Sequence, residues 1–566
     1  MDWCFGKQSA PALKKVMLRH VLEDKSMGNT THPMITRLAG AGGKQLGSQN
    51  THRSLMSYLQ SMGYAGMVSP AEGRHMRFVI RPHVLIQYYS SRYPKQIQTS
   101  FGVDPELLFK FWDGLWSRSG SEFLWQEHQH LRHKTPRELS CCIPASWFED
   151  AGPYTKSASV QVVSLSSLMG IGSEIDCKLI MGVHLKTSGE QGLVPTDDGA
   201  YKVLFESMDA LASGVGPAGP LPIDEKLQGK PLILIDGVSF GMICLFGKAD
   251  GEQRVVGWRM PSLASLTPCT WCPCNRSDRP WTDLGPLAKW RGYCFTVEEF
   301  LRRASSPHHP LLHAAFSSRY FIRVDLMHNI DCKGVLAITG GSVVDTLLSK
   351  PELGRNRQQR LNFINQRKSD FYTDAKVPHR FGPITFANLS AKDGEKGTQY
   401  STLSGPTIKA ANTRALAPFW ESLCEEFFRE DSVHDIAICG VARSLNDIIK
   451  LLYGADLFLQ PAEARQLNRL LLEFGEHFTT LAKLSVQAGQ LRWHLSPKVH
   501  EMQHIGTQSN FVNARYLQNY AEEGLVGKAC EMYAAAANGP GRDSVQQLTV
   551  LTKYIAGLSF RCMGAF

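Results

Sequence analysis

The chain changes its hydrophobic rhythm twice, and those changes divide it. Between residues 80 and 130 apolar positions recur at helical spacing, with Leu107, Leu108, Phe111, Trp112, Leu115 and Trp116 forming one stripe. This predicts a helical cap that packs on something larger. The rhythm then becomes short and strand-like. Cys141–Asp150 is an apolar run ending in a Glu-Asp-Ala-Gly-Pro turn signal, Ser159–Leu168 is rich in Val and Ser, and Cys177–Lys186 is a third run. Asp197–Ser213 opens on acids and continues at helical spacing, so it predicts a helix. Leu232–Ile235 and Ser239–Phe246 are strand-like again. Beyond residue 285 helical spacing dominates, most clearly over 410–485, where Leu445, Ile448, Ile449, Leu452, Leu467, Leu470 and Leu471 recur among Arg and Glu. No repeat of fixed period stands out.

Residues 27–52 are rich in Gly, Ser, Asn, Thr and Gln and predict a linker. The expected layout is therefore a linker-like N-terminal segment (1–75) and a helical cap (76–138). An α/β core begins at 139–260, followed by a Cys-rich segment (261–335) and an insertion (336–408). A helical C-terminal part (409–566) includes the end of the core.

Composition adds bounds. The 566 residues are 43% hydrophobic and 20% charged, ordinary globular values. A net charge of +9 is a mild bias compatible with a polyanionic partner. The start has no apolar signal region, and no apolar run reaches the ~20 residues that span a bilayer. An intracellular, non-membrane protein is expected. The 14 cysteines are too scattered for a disulfide framework. No phosphate-binding GxxxxGK[ST] loop is present, so no ATP site is expected.

Two groups carry candidate chemistry. The first is acidic. Asp150 follows the first strand and Asp250 the last, in the order strand, strand, strand, helix, strand. If those two strands are neighbours, two carboxylates meet across 100 residues and favour a shared Mg²⁺ or Mn²⁺. Each is also an ordinary turn acid beside glycine. The second group is Cys269-Thr-Trp-Cys272-Pro-Cys274. Cys269 and Cys272 present two thiolates to one ion, and His328 and Cys332, one helical turn apart, complete a structural zinc site. Cys274 is a spare ligand. A redox pair or plain core cysteines are the competing readings, and His328 has a further one, beside the acids.

Basic stretches at Arg302-Arg303, Arg355–Arg360 and Arg367-Lys368 offer phosphate contacts or solvated helix faces. Trp271, Trp281, Trp290 and Tyr293 crowd the cysteines, either as packing or as stacking platforms for bases.

Four pieces, in this order, resemble cut-and-paste DNA transposases of the CACTA (En/Spm) and Kyakuja–Dileera–Zisupton groups. Ile143–Tyr154 resembles their first-acid segment. Lys248-Ala-Asp250, followed by Pro268-Cys269-Thr-Trp-Cys272, resembles the second acid and its CxxC. Val324–Val335 carries the DxxH motif as Asp325 and His328, and Trp493–His500 resembles a late PKxH segment. The resemblance spans roughly residues 80–560. It implies an RNase H-like core with a DDE triad and a large helical insertion, Mg²⁺, DNA ends as substrate and a nuclear location; a homo-oligomer is a further partner expectation. Asp150 and Asp250 match the first two acids. The last acid falls in a segment reading Lys409-Ala-Ala-Asn412-Thr-Arg414, which puts Asn412 in its place, with Glu421, Glu425 and Glu426 further along. An amide is a poorer metal ligand. The sequence thus supports a metal-dependent nuclease or an inactive DNA- or protein-binding scaffold that keeps the fold and a zinc site. An unrelated α/β protein with a zinc knuckle is the third reading.

Overall fold

A computed structural model describes residues 67–72, 75–118, 121–156, 158–170, 177–187, 198–219, 222–292, 295–389, 399–429, 431–536 and 543–562. The expected linker at 27–52 lies outside them.

The fold is mixed α/β, built on one seven-stranded sheet in the order β1-β2-β5-β4-β3-β7-β6. The strands are β1 (Val68–Pro70), β2 (Phe78–Ile80), β3 (Cys142–Pro153), β4 (Ala158–Ser167), β5 (Lys178–Thr187), β6 (Ile233–Ile235) and β7 (Val238–Lys248). The strand-like runs of the sequence fall on β3 to β7, and the expected helix on Asp198–Ser213. β3, β4 and β5 form an antiparallel meander, and β7 lies parallel to β3 on its other side. Beyond β7, Phe321 and Arg323 exchange backbone hydrogen bonds with Gly247, at 2.7 and 3.1 Å. The short extended segment they flank therefore runs parallel to the end of β7.

The first strand is longer than its turn signal suggests. β3 continues to Pro153, and Asp150 pairs with Val162 inside the sheet. A strand is buried along its whole length only when both faces are covered. Strand alternation sends Trp147 and Glu149 to one face, where Glu149 accepts from Tyr201 at 2.7 Å and Trp258 at 2.7 Å. Asp150 and Gly152 look the other way. A Cβ on Gly152 would lie 2.6 Å from Val526 and 2.9 Å from Cys530, so the helix Tyr520–Ala536 packs directly on that face.

β2 falls inside the expected cap (76–138) and β1 inside the expected linker-like segment (1–75), so both ranges also feed the sheet. Residues 80–130 are otherwise helical as their periodicity predicts, in Pro82–Arg92, Pro94–Phe101, α1 (Pro105–Trp116) and Ser121–Glu127. Proline at the first turn favours three of these starts, and the Asp104 carboxylate caps α1 by accepting from Glu106 and Leu107. Leu108, Phe111, Trp112 and Leu115 are buried, whereas Leu107 and Trp116 are each 45% exposed. The stripe is therefore narrower than six residues.

A second apolar core gathers the helical region. It joins Leu336 and Val343 on α2 (Val335–Leu347) to Leu445 and Ile448 on α3 (Val433–Gly454), and to Leu467 and Leu471 on α4 (Pro461–Gln487). Residues 336–408 and the helices after 409 thus share one core. Leu457 and Phe458 touch the first core on the way, and the chain returns to the sheet with Phe511 and the helices Tyr520–Ala536 and Asp543–Cys562. Among the described residues, no helix is long and apolar enough to cross a membrane.

Two predictions follow from packing and burial. Gly102 has φ +64°, and an added Cβ would meet the Met169 carbonyl oxygen at 2.2 Å, whereas Gly237, at φ +79°, has open space. Gly102→Ala is expected to lower unfolding free energy by about 2 kcal/mol more than Gly237→Ala does, read by chemical denaturation. Burial also holds His128 and His309 down to about 3 and His83 to about 4, from 6.5. The unfolded chain takes up protons first, so the stability from keeping these rings neutral is present above pH 6.5 and lost as pH falls towards 3. Denaturation midpoints measured from pH 7 to pH 4 should fall. The fall should be shallower in His128→Gln, which keeps a donor for the Cys244 carbonyl.

Candidate functional site

Three carboxylates converge where β3, β7 and the returning helix α5 (Tyr520–Ala536) meet. Asp150 comes from β3, on the face that α5 covers. Asp250 follows β7, and its side chain accepts from the Gln253 amide at 2.6 Å, which pins it at the start of a wide helical turn. Glu523 stands in the first turn of α5. Asp150 and Glu523 share a side-chain hydrogen bond, and Asp250 lies close enough for its charge to act on both. Two carboxyl groups can share a hydrogen bond only by holding a proton between them. Burial first, then the charges of Asp250 and Glu523, push the Asp150 carboxyl well above its ordinary range.

Glu523 is aimed by its neighbour. Glu522 is 1% exposed and forms ion pairs with Lys248 at the end of β7 and, at 3.3 Å, with Lys178 of β5. Burial alone would raise its carboxyl, but the two ammonium groups hold it below the ordinary value. The start of α5 is tied down further by Asn519, whose amide donates to Asp325 at 3.2 Å, and by Tyr520, whose hydroxyl donates to Asp331 at 2.7 Å.

Asp325 and His328 belong to the same neighbourhood. The Asp325 carboxylate engages His328 Nδ1 directly, leaving Nε2 3.9 Å from Glu523. Burial lowers the affinity of His328 for a proton. The hydrogen bond and charge of Asp325, with Glu523 and Asp250, outweigh it, so the ring lies above its ordinary value. Lys498 donates to the carbonyls of His328 (2.7 Å), Lys333 and Cys332, fixing the turn that carries the histidine.

Asn412 is not among these groups. Its side chain accepts from the Lys409 amide at 3.0 Å and caps its own short helix, Ala410–Ala415. The residue of that segment that reaches towards the acids is Arg414, paired with Asp331 at 3.3 Å. Glu421, Glu425 and Glu426 are engaged elsewhere, with Lys450, Arg443 and Arg367. The third carboxylate beside Asp150 is Glu523. In the sequence, Glu522-Glu523 looks like any acidic first turn that complements a helix dipole, so nothing local distinguishes it.

The cysteine cluster is a separate centre. Cys269, Cys272, Cys274 and His500 bring ligand atoms within 4.8 Å of one another, and all four are buried. No other group of three or more such ligands gathers so tightly among the described residues, so the acids are looser in this structure. His500 Nε2 lies 3.2 Å from Cys272 Sγ, and His504 Nε2 lies 3.3 Å from Cys269 Sγ. His500 Nδ1 donates to the Trp281 carbonyl at 3.0 Å, which turns the Nε2 lone pair towards the sulfurs. For Cys269, burial acts to raise the thiol. Hydrogen bonds from Cys272 and Cys274 and the two histidines overcome it and hold the thiol well below its ordinary value. Three sulfurs and an imidazole suit a metal such as zinc.

The expected ligand set is corrected in its second half. His328 stands beside the acids instead, and Cys332 faces Lys498 and Lys333 rather than the cluster. Cys274 and His500 take their places, with His504 adjacent. Cys274 follows Cys272 too closely to be carried far away, but nothing local marks His500 or His504. The histidine pair sits on two short consecutive helices, Pro497–Met502 and His504–Ser509, one turn apart. Of the aromatic residues near the cysteines, Trp281 supplies the carbonyl for His500 and Trp290 packs on its ring at 4.4 Å, while Tyr293 lies outside the described residues.

The basic stretches are largely occupied. Arg303 donates to the carbonyls of Thr267 and Cys269, Arg357 pairs with Asp345, Arg360 holds the Gly354 and Leu348 carbonyls, and Arg367 pairs with Glu426.

No protein-family model matches the chain, and no curated protein matches it significantly.

Elemental analysis of the purified protein is expected to find about one zinc per chain. His500→Ala and Cys274→Ser should each lower that content and the melting temperature together. His328→Ala should leave zinc unchanged; zinc lost from that variant would restore the ligand set expected from sequence.

Proposed function

We propose that this chain is a nuclease core of the transposase type, with an RNase H-like sheet, that cleaves or transfers DNA phosphodiesters. The observation that carries this reading is the meeting of Asp150, Asp250 and Glu523. They come from two adjacent parallel strands and from a helix that packs on them after a long helical excursion. The strand order supports it: a three-stranded antiparallel meander, then a parallel strand beside its first member.

The donor set fits hard divalent cations. Three carboxylates crowd one spot, Asp150 buried and Asp250 and Glu523 partly exposed, and without added positive charge two of them must share a proton. Mg²⁺ or Mn²⁺ bound there would stabilise charge on the phosphoryl and leaving oxygens of a phosphodiester. The chain's own groups have distinct tasks. Asp150 and Asp250 are the fixed ligands, each held by the sheet or by the turn that follows it. Glu523 is the ligand delivered by the helix. His328, oriented by Asp325, faces Glu523 and can hold a proton at Nε2 while the carboxylates serve as ligands.

The alternative of an inactive scaffold rested on Asn412 in the place of the third acid. Glu523 beside Asp150 supports the nuclease reading over that alternative.

The test is nicking of supercoiled DNA with Mg²⁺ or Mn²⁺. Wild-type protein is expected to cut. Asp150→Asn, Asp250→Asn and Glu523→Gln should each reduce cutting by about 100-fold or more, and Asn412→Ala should not. A wild-type protein that leaves DNA intact with both cations would favour the scaffold.

A further inference from the structure

A cavity of about 240 Å³ lies against the cysteine–histidine centre, bounded on its other side by the extended segment at Ile322 and Arg323. Its lining contains three arginines, Arg291, Arg319 and Arg323, and no carboxylate. Two of the three are satisfied. Arg319 pairs with Glu127 at 2.6 Å, and Arg291 donates to Gln503 and to the Leu284 carbonyl, each at 2.7 Å.

Arg323 differs. It is 2% exposed, and no ion pair engages it among the described residues. It donates to the Gln508 carbonyl at 2.6 Å and to the Tyr320 carbonyl at 3.5 Å and lies near the Phe246 and Phe511 rings, at 4.4 and 5.5 Å, while its Nε has no partner. Burial pulls its guanidinium down to about 9, with no nearby carboxylate to oppose that fall. A buried cation without a counter-ion is costly, and such groups are normally paired. Here the unpaired charge borders a space that a ligand can enter, because Gly292, Asn468 and Thr507 on its lining are exposed. Trp271, Trp290, Tyr320 and Phe511 supply aromatic wall between polar side chains such as Gln503 and Gln508. An arginine facing an aromatic-walled space suits a ligand with an anionic group and a planar ring. The volume restricts it to one small unit, below the ~300–1,000 Å³ of drug-sized sites.

We propose that this cavity binds a single nucleotide unit, its phosphate on Arg323 and its base against the aromatic walls. A free nucleoside monophosphate and the terminal nucleotide of a DNA strand present the same chemistry. The strand as source rests on the nuclease reading above; the cavity's preference for a nucleotide does not.

The experiment is calorimetric titration of the full chain with deoxyadenosine monophosphate, deoxyadenosine and inorganic phosphate. The monophosphate is expected to bind at least tenfold tighter than either of the others. Arg323→Met should weaken it at least tenfold. Because Arg323 is buried, a second variant guards against misfolding: Thr507→Trp, at an exposed lining position, should block the cavity and abolish binding. Equal affinity for monophosphate and nucleoside, or unchanged binding by Thr507→Trp, would overturn the proposal. Inorganic phosphate binding as tightly as the nucleotide would overturn the base contact and with it the proposal. Asp150→Asn should lose cleavage yet keep nucleotide binding, which separates the two readings. Competition by a 5′-phosphorylated oligonucleotide would identify the strand end as ligand, and its failure to compete while the monophosphate binds would identify the free nucleotide.

Discussion

The burial of Glu522 between Lys178 and Lys248 governs how the rest of this molecule is arranged. Taking a carboxylate out of water is expensive, and two ammonium groups on two different strands are what make it tolerable here. Those lysines can reach one carboxylate only if α5 starts over the sheet at that point. The next residue on the helix is then carried to Asp150. Removing either side of such a buried pair leaves an uncompensated charge, a loss of roughly 3–5 kcal/mol. The same contact that docks the helix thus also gathers the acids.

The helical excursion between the extended segment at Ile322 and the return at Phe511 needs its own fastening. The cysteine–histidine centre supplies it by joining residues 269–274, just after the sheet, to residues 500–504, just before the return. The contacts of Asp331 with Tyr520 and Arg414 provide another link, from the turn bearing His328 to the start of α5 and to the helix holding Asn412. Between these ties the chain packs a separate apolar core. The acids therefore depend on segments that are remote in sequence but held by two local clamps. The cavity lies against the first clamp, and Arg323 on its lining is two residues before Asp325.

Much of the sheet was legible in the chain because local rules govern it. The apolar runs at 141–150, 159–168 and 177–186 are the length of buried strands, and the acid-led stretch at 197–213 has helical spacing. The nearness of Asp150 and Asp250 was legible from strand order, although Asp150 lies inside β3 rather than past its end. CxxC was legible as a short-range thiol pair. The carboxylate that stands beside Asp150, Glu523, was not. Asn412 sits in a segment that resembles a family motif, yet its amide is used to cap its own helix, and resemblance of a short string does not specify where its side chain points.

Sequence alone determined strands β3 to β7, the main helical regions and the presence of a thiol-rich turn, but not β1 or β2. These follow from periodicity and composition over windows of ten or so residues. Tertiary structure alone decided which distant groups join each cluster: Glu523 beside Asp150, and His500 with the adjacent His504 beside the cysteines, where Cys274 was already a spare ligand in the sequence. It also decided that His328 joins the acids. The physical reason is that these partners are selected by charge burial and helix docking across hundreds of residues, and such long-range closure leaves no mark on the local pattern of the chain.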